Sequence, residues 1–202
     1  FTQSGNYSVT FSAGTPAGTV SLLTYCASNP NSSFANQAAT IIEEVQLSGD
    51  NFDINNNTTG INDLYEDYTS TIYADLTEGN SYTVNVKTDD LSVTPGSYAP
   101  QAINVYIDFN IDGDFSDAGE DLGVINIPWG TWSQGTVYSF NITVPSTGIY
   151  GATRMRVVCM SNSSNSTIMG SCESPSPTGF ATPWFGATED YSIVLNDLSN
   201  CD

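Results

Sequence analysis

One stretch of this 202-residue chain gathers oxygen-bearing side chains at a spacing that suits a metal ion. It runs Asp108-Phe109-Asn110-Ile111-Asp112-Gly113-Asp114-Phe115-Ser116-Asp117-Ala118-Gly119-Glu120. Its first six residues fit the pattern D-x-[DN]-x-[DN]-G, in which alternate oxygens converge on a hard cation and glycine permits a sharp turn. The expected ion is calcium. Asp108, Asn110 and Asp112 would offer side-chain oxygens, Asp114 a carbonyl or carboxylate, and Glu120 a closing carboxylate, with Asp117 in reserve. The loop departs from an EF-hand: the twelfth position is Gly119, the acid stands one later, and neither flank reads as a helix. The competing reading is an acidic, solvated turn, because Asp, Asn and Gly favour turns without any metal.

Other chemistry is thin. The chain has no histidine, which removes Ser-His-Asp and Cys-His nucleophiles, HExxH metal sites and a histidine base. A carboxylate pair of the glycosidase kind is the one hydrolytic design left, and the expectation is that the chain is not an enzyme. Trp129 and Trp132, in Pro128-Trp129-Gly130-Thr131-Trp132, lie in a loop where aromatic platforms for sugars form; loop anchors are the alternative. Arg154 and Arg156 share one face of a strand and, in so acidic a chain, should pair with carboxylates.

The charge is lopsided: 22 Asp and Glu against three Lys and Arg, a formal net charge of −19. A basic face for nucleic acid is absent, and anionic membrane surfaces are excluded on the same ground. Mutual repulsion among so many carboxylates calls for screening salt or divalent cations. No apolar run approaches the ~20 residues that span a bilayer. The chain starts at Phe1, which reads as a mature form or a piece of something longer.

Cys26, Cys159, Cys172 and Cys201 show no CxxC spacing and have no histidine to help them bind zinc. Two disulfides are expected, in one of three connectivities. Cys159 with Cys172, closing a short excursion, and Cys26 with Cys201, tying start to end, are favoured. An oxidising compartment, hence secretion to the extracellular space or cell surface, follows.

The elements that must position these groups read as strands. Tyr7, Val9 and Phe11 alternate with polar residues, as do Tyr82, Val84 and Val86, and Ile103, Val105, Ile107 and Phe109, the last run ending at the acidic loop. Further strands are expected at 18–25, 41–47, 71–76, 136–144, 153–160 and 190–196, separated by Gly, Pro, Asn and Asp clusters. Nine strands at this spacing argue an all-β fold, a β-sandwich or jelly roll. Residues 1–23 read as the tail of a preceding domain or an extra edge strand, and 24–202 as the sandwich domain. An unpaired strand at 4–12 would invite pairing with a neighbouring molecule.

Around the loop the sequence resembles the GEVED domain of secreted Bacteroidetes-type surface proteins. The carriers are Val105 to Phe115 with Ala118-Gly119-Glu120, then Gly151-Ala152-Thr153-Arg154-Met155-Arg156-Val157, and Gly186-Ala187-Thr188-Glu189-Asp190-Tyr191-Ser192-Ile193. Thr24-Tyr25-Cys26 and Tyr65-Glu66-Asp67-Tyr68-Thr69 look like the segment that precedes such domains, so the resemblance spans roughly 24–196. It implies a β-sandwich placed in large exported proteins, many of them adhesins or enzymes with accessory modules, often exported by a type IX route. The family's naming motif has Ala187 in place of its first acid, and Glu189 and Asp190 remain. Asp190, at the start of the last strand, is expected to join the calcium site.

The sequence therefore predicts a noncatalytic, calcium-stabilised extracellular module for adhesion or carbohydrate binding, its partner a surface glycan or protein. The alternative is a subunit of an extracellular filament that self-associates through the N-terminal strand.

Overall fold

The computed structural model describes residues 23–28, 40–59, 61, 63–90, 100–128, 130–161, 170–172 and 185–198. Among these residues ten strands form two sheets packed face to face, a β-sandwich. The expected strands at 4–12 and the first part of 18–25 lie outside the described residues, and 23–28 form an irregular segment. No helix among the described residues is long and apolar enough to cross a membrane.

The four-stranded sheet has the order β2-β1-β5-β8, from β1 (Thr40–Ser48), β2 (Asp53–Asn57), β5 (Ser81–Asp90) and β8 (Tyr138–Thr143), all antiparallel. Its inner face carries Val45, Leu47, Ile54, Val84, Val86, Phe140 and Ile142, all buried. The six-stranded sheet has the order β3-β10-β9-β6-β7, with β3 (Tyr65–Asp67), β6 (Gln101–Ile107), β7 (Ile125–Ile127), β9 (Gly151–Ser161) and β10 (Phe185–Asn196). β4 (Tyr73–Thr77) also pairs β10, and β3 and β4 both run parallel to it, one after the other along the same edge.

Period-two alternation explains most of this, since it gives each strand one apolar face for the common core. β6 goes further: all seven of its residues are buried. Ile103, Val105 and Ile107 enter the main core, while Ala102 and Tyr106 on the opposite face pack with Phe115, Val158, Met160 and Tyr25. The six-stranded sheet is thus covered on its outer side as well, by the acidic loop and by segment 23–28.

The cysteines differ from expectation. Cys26 bonds to Cys172, with Cα atoms 5.3 Å apart. Cys159 is a free, buried thiol on the core face of β9, so the expected Cys159–Cys172 and Cys26–Cys201 bridges are not formed, and among the described residues one disulfide is seen rather than two. Cys201 lies outside the described residues. The reason is spatial. The Arg156 guanidinium gathers the carbonyls of Cys26 (3.0 Å) and Ser171 side by side, which delivers Cys172 to Cys26. Burial pushes the Cys159 thiol well above the usual thiol range, leaving it inert.

Candidate functional site

Strand β6 ends at Ile107, and the chain then turns back on itself around two buried carboxylates. Asp108 accepts the N–H groups of Ile111 (2.6 Å) and Asp112 (3.3 Å) on Oδ1, and that of Gly113 (3.0 Å) on Oδ2. Glu120 accepts Phe109 N–H (3.0 Å) on Oε1 and Asp117 N–H (3.2 Å) on Oε2. Burial lifts the Glu120 carboxyl above the usual range, and these N–H bonds offset part of that rise. One acid therefore shapes the first half of the loop and the other closes it.

The tight turn leaves Ile111 at φ 58°, a left-handed conformation that a β-branched residue rarely adopts. Gly113 follows at φ 97°. The strain at Ile111 is held by its N–H bond to Asp108 and by packing of its side chain against the core.

Held this way, the loop turns three exposed acids toward one another. Carboxylate oxygens of Asp112, Asp114 and Asp117 all lie within 4.8 Å of one another. Asn110 joins them, its Nδ2 donating to Asp112 (3.0 Å) and Asp117 (2.7 Å). An amide donor between two carboxylates supplies part of the positive charge that a cation would supply. The Ser116 hydroxyl and N–H hold the Asp114 carboxyl below the usual range. An all-oxygen set of this kind suits a hard cation, and the three acids fit such an ion.

Of the six expected ligands, Asn110, Asp112 and Asp114 stand at this cluster together with Asp117. Asp108 and Glu120 lie behind it as buried acceptors of loop N–H groups. Asp190 is placed elsewhere. Its carboxylate takes Nε and Nη2 of Arg156, both at 2.7 Å, Nη1 of Arg154 at 3.0 Å and the Tyr65 hydroxyl at 2.8 Å. The register of β9 and β10 sets Asp190 directly opposite Arg156, which explains the difference.

The sequence did not mark what joins these two groups. Arg154 lies over the Tyr25 ring at 4.4 Å, and the Tyr25 hydroxyl donates to Asp108 Oδ2 at 2.6 Å. Arg156 lies over Phe115, which is tucked beneath the loop and packs on Tyr25 at 5.3 Å. Segment 23–28 thus bridges the loop to the paired arginines, and its Ser28 bonds Thr188 of β10 at 2.8 Å. The expected sugar platform is changed as well. Trp132 is 5% exposed and donates its indole N–H to Thr88 at 3.3 Å, so it is a core anchor. Trp129 lies outside the described residues.

No curated protein matches this chain in sequence. Among solved structures, the CARDB domain of a Pyrococcus furiosus protein, described as in complex with di-metal ions, is similar at 14% identity and a TM-score of 0.35. That match covers 81% of this chain and 100% of the other, and at this level no feature is transferred. The profile of the GEVED domain matches residues 102–194, which run from β6 into β10 and include the whole acidic loop, so this part of the chain is similar to a GEVED domain.

Proposed function

We propose that this chain is a noncatalytic, calcium-stabilised extracellular surface module that serves adhesion or carbohydrate binding. The observation that supports the calcium-stabilised part of this reading is the convergence of Asp112, Asp114 and Asp117 on a loop whose ends are fixed by buried Asp108 and Glu120. Bound calcium would offset two of the three negative charges of carboxylates that otherwise repel one another. The residues that would hold it are Asp112, Asp114 and Asp117. The Cys26–Cys172 bond supports an oxidising, extracellular setting. A chain without histidine supports a role without catalysis.

The test is thermal. At the ~10⁻⁴–10⁻³ M affinity usual for extracellular modules, calcium at ten to a hundred times Kd adds about 1.4–2.7 kcal/mol. For a chain of this size each kcal/mol moves Tm by about 2–4 °C. Chelation should lower Tm accordingly, and Asp112→Asn with Asp114→Asn should abolish the difference. Superimposable melting curves with and without chelator would remove calcium from the reading. The alternative, a filament subunit assembled by strand pairing, rests on residues 4–12, which lie outside the described residues.

A further inference from the structure

The outer face of the four-stranded sheet is built unlike the rest of the molecule. The strand register lines up Asn55, Gln46, Asn85 and Ser139 in one row across β2, β1, β5 and β8. Asn55, Gln46 and Asn85 of this row, with Ser48, Asp53, Ile54 and Thr83 beside them, line a recess of about 330 Å³. That volume lies within the ~300–1,000 Å³ typical of small-ligand sites. Apart from Ile54, its side chains are amides and hydroxyls, with Asp53 the one ionised group. A second recess, also about 330 Å³, shares Asp53 and Asn55 and continues around the edge of β2 to Phe52 and Tyr73.

These two aromatic side chains are exposed, Phe52 at 50% and Tyr73 at 39%, with ring centroids 4.7 Å apart. They are not loosely held. Asp75, buried beneath them, accepts the N–H groups of Asn51 (2.8 Å) and Phe52 (2.7 Å) and the Asn51 side-chain amide (2.8 Å). Gly49 makes the turn possible, because a Cβ there would lie 2.4 Å from the Phe52 carbonyl oxygen and 2.5 Å from that of Asp75. Rigidly presented aromatic surface costs burial energy and marks contact with something else.

The lining names the class of ligand. Exposed ring faces carry negative quadrupole density, which suits the apolar C–H face of a pyranose. Side-chain amides and hydroxyls match its hydroxyls as donors and acceptors. Asn55 and Asn85 accept through Oδ1, from Gln46 (3.4 Å) and Ser139 (2.7 Å), and their amide N–H groups bond no described residue. An anionic ligand is disfavoured: Lys87, the cation nearest in the sheet, is paired with Glu44, and the whole chain carries −19. Resting on the reading of this chain as a surface-binding module, we propose that the groove formed by Gln46, Asn55, Asn85, Phe52 and Tyr73 binds a neutral oligosaccharide.

Calorimetric titration of the whole chain with short neutral gluco-, manno- and galacto-oligosaccharides, against uronate and sulfated oligomers and an extended neutral peptide, tests this. The expected result is saturable binding of at least one neutral sugar series that is insensitive to salt. Phe52→Ala with Tyr73→Ala should weaken it at least tenfold, and Asn55→Ala with Asn85→Ala at least fivefold, at unchanged Tm. Should either variant fold poorly, the side-chain amide NMR signals of Asn55 and Asn85 in the unaltered chain must shift on sugar addition. Affinity unchanged in both variants, with unshifted amides, would overturn this site while leaving a carbohydrate-binding module standing. Binding of no neutral sugar, or of the peptide alone, would overturn the sugar assignment, and the chelator effect on Tm reports independently on the calcium-stabilised module.

Discussion

Glu189 of β10 faces the space between the sheets, next to Asp190 but on the opposite side of the strand. Its carboxyl meets the Tyr191 hydroxyl (2.5 Å) and the Thr58 hydroxyl (3.1 Å), and Asn56 donates to the same tyrosine at 2.9 Å. Burial pushes its carboxyl up to about 8, and the negative charge of nearby Glu66 adds to the rise. In the unfolded chain that proton leaves near 4.5; in the folded chain it stays until about 8. Across that window the folded state binds more protons, so stability falls as pH rises. Glu189→Gln keeps the shape and an acceptor for Thr58 but carries no proton to lose. Its Tm should decline less than that of the parent between pH 5 and 8.5, a gap of at least ~1 kcal/mol or about 2–4 °C at the upper end. Parallel Tm profiles would refute this assignment. At this scale the acidic loop was legible, because its acids are neighbours in sequence and their spacing alone describes the turn. The role of Asp190 was not, since its partners come from another strand. Two of only three cationic residues standing at Arg154 and Arg156 were the available signal.

At the scale of elements, β10 is the keel of the six-stranded sheet, paired on one side with β9 and on the other with β3 and β4. Its start requires close approach: a Cβ on Gly186 would lie 1.9 Å from the carbonyl oxygen of Cys159. Backbone cannot swing aside as a flexible side chain can. Gly186→Ala should therefore cost about 2–3 kcal/mol, seen as a lower urea midpoint at unchanged slope. A midpoint equal to that of the parent would show that β9 and β10 are more loosely apposed than described. Strands with alternating apolar residues, such as β5, β6, β8 and β9, were readable from pattern. β2, with the sequence Asp53-Ile54-Asn55-Asn56-Asn57, was not, because Asp and Asn favour turns. It forms because Ile54 fits the core opposite Leu47 and β1 supplies its register. β3 and β7, three residues each, are too short to show a period. The alternation in β6 suggested one wet face; what dries it is Phe115 and Tyr25, contributed from beyond the strand.

For the whole molecule, sandwich architecture was evident from strand number and spacing, whereas the disulfide partner was not, because pairing depends on where distant segments land. Segment 23–28 lands on the outer face of the six-stranded sheet, and Cys26 is fixed there to Cys172 across 146 residues of chain. This bond changes how the domain would bear load. Tension applied upstream of Cys26 and downstream of Cys172 passes directly between the two sulfurs and into β10, bypassing β1 to β9. Stretched in a single-molecule instrument, the oxidised chain should release a contour length shorter by about 50 nm than the reduced one, from ~3.5 Å per residue over the 146-residue span. Equal lengths would mean that the bridge does not carry the load. With the bridge intact, a chain held at both ends would carry tension through β10, while the acidic loop and the outer face of the four-stranded sheet stayed outside the load path.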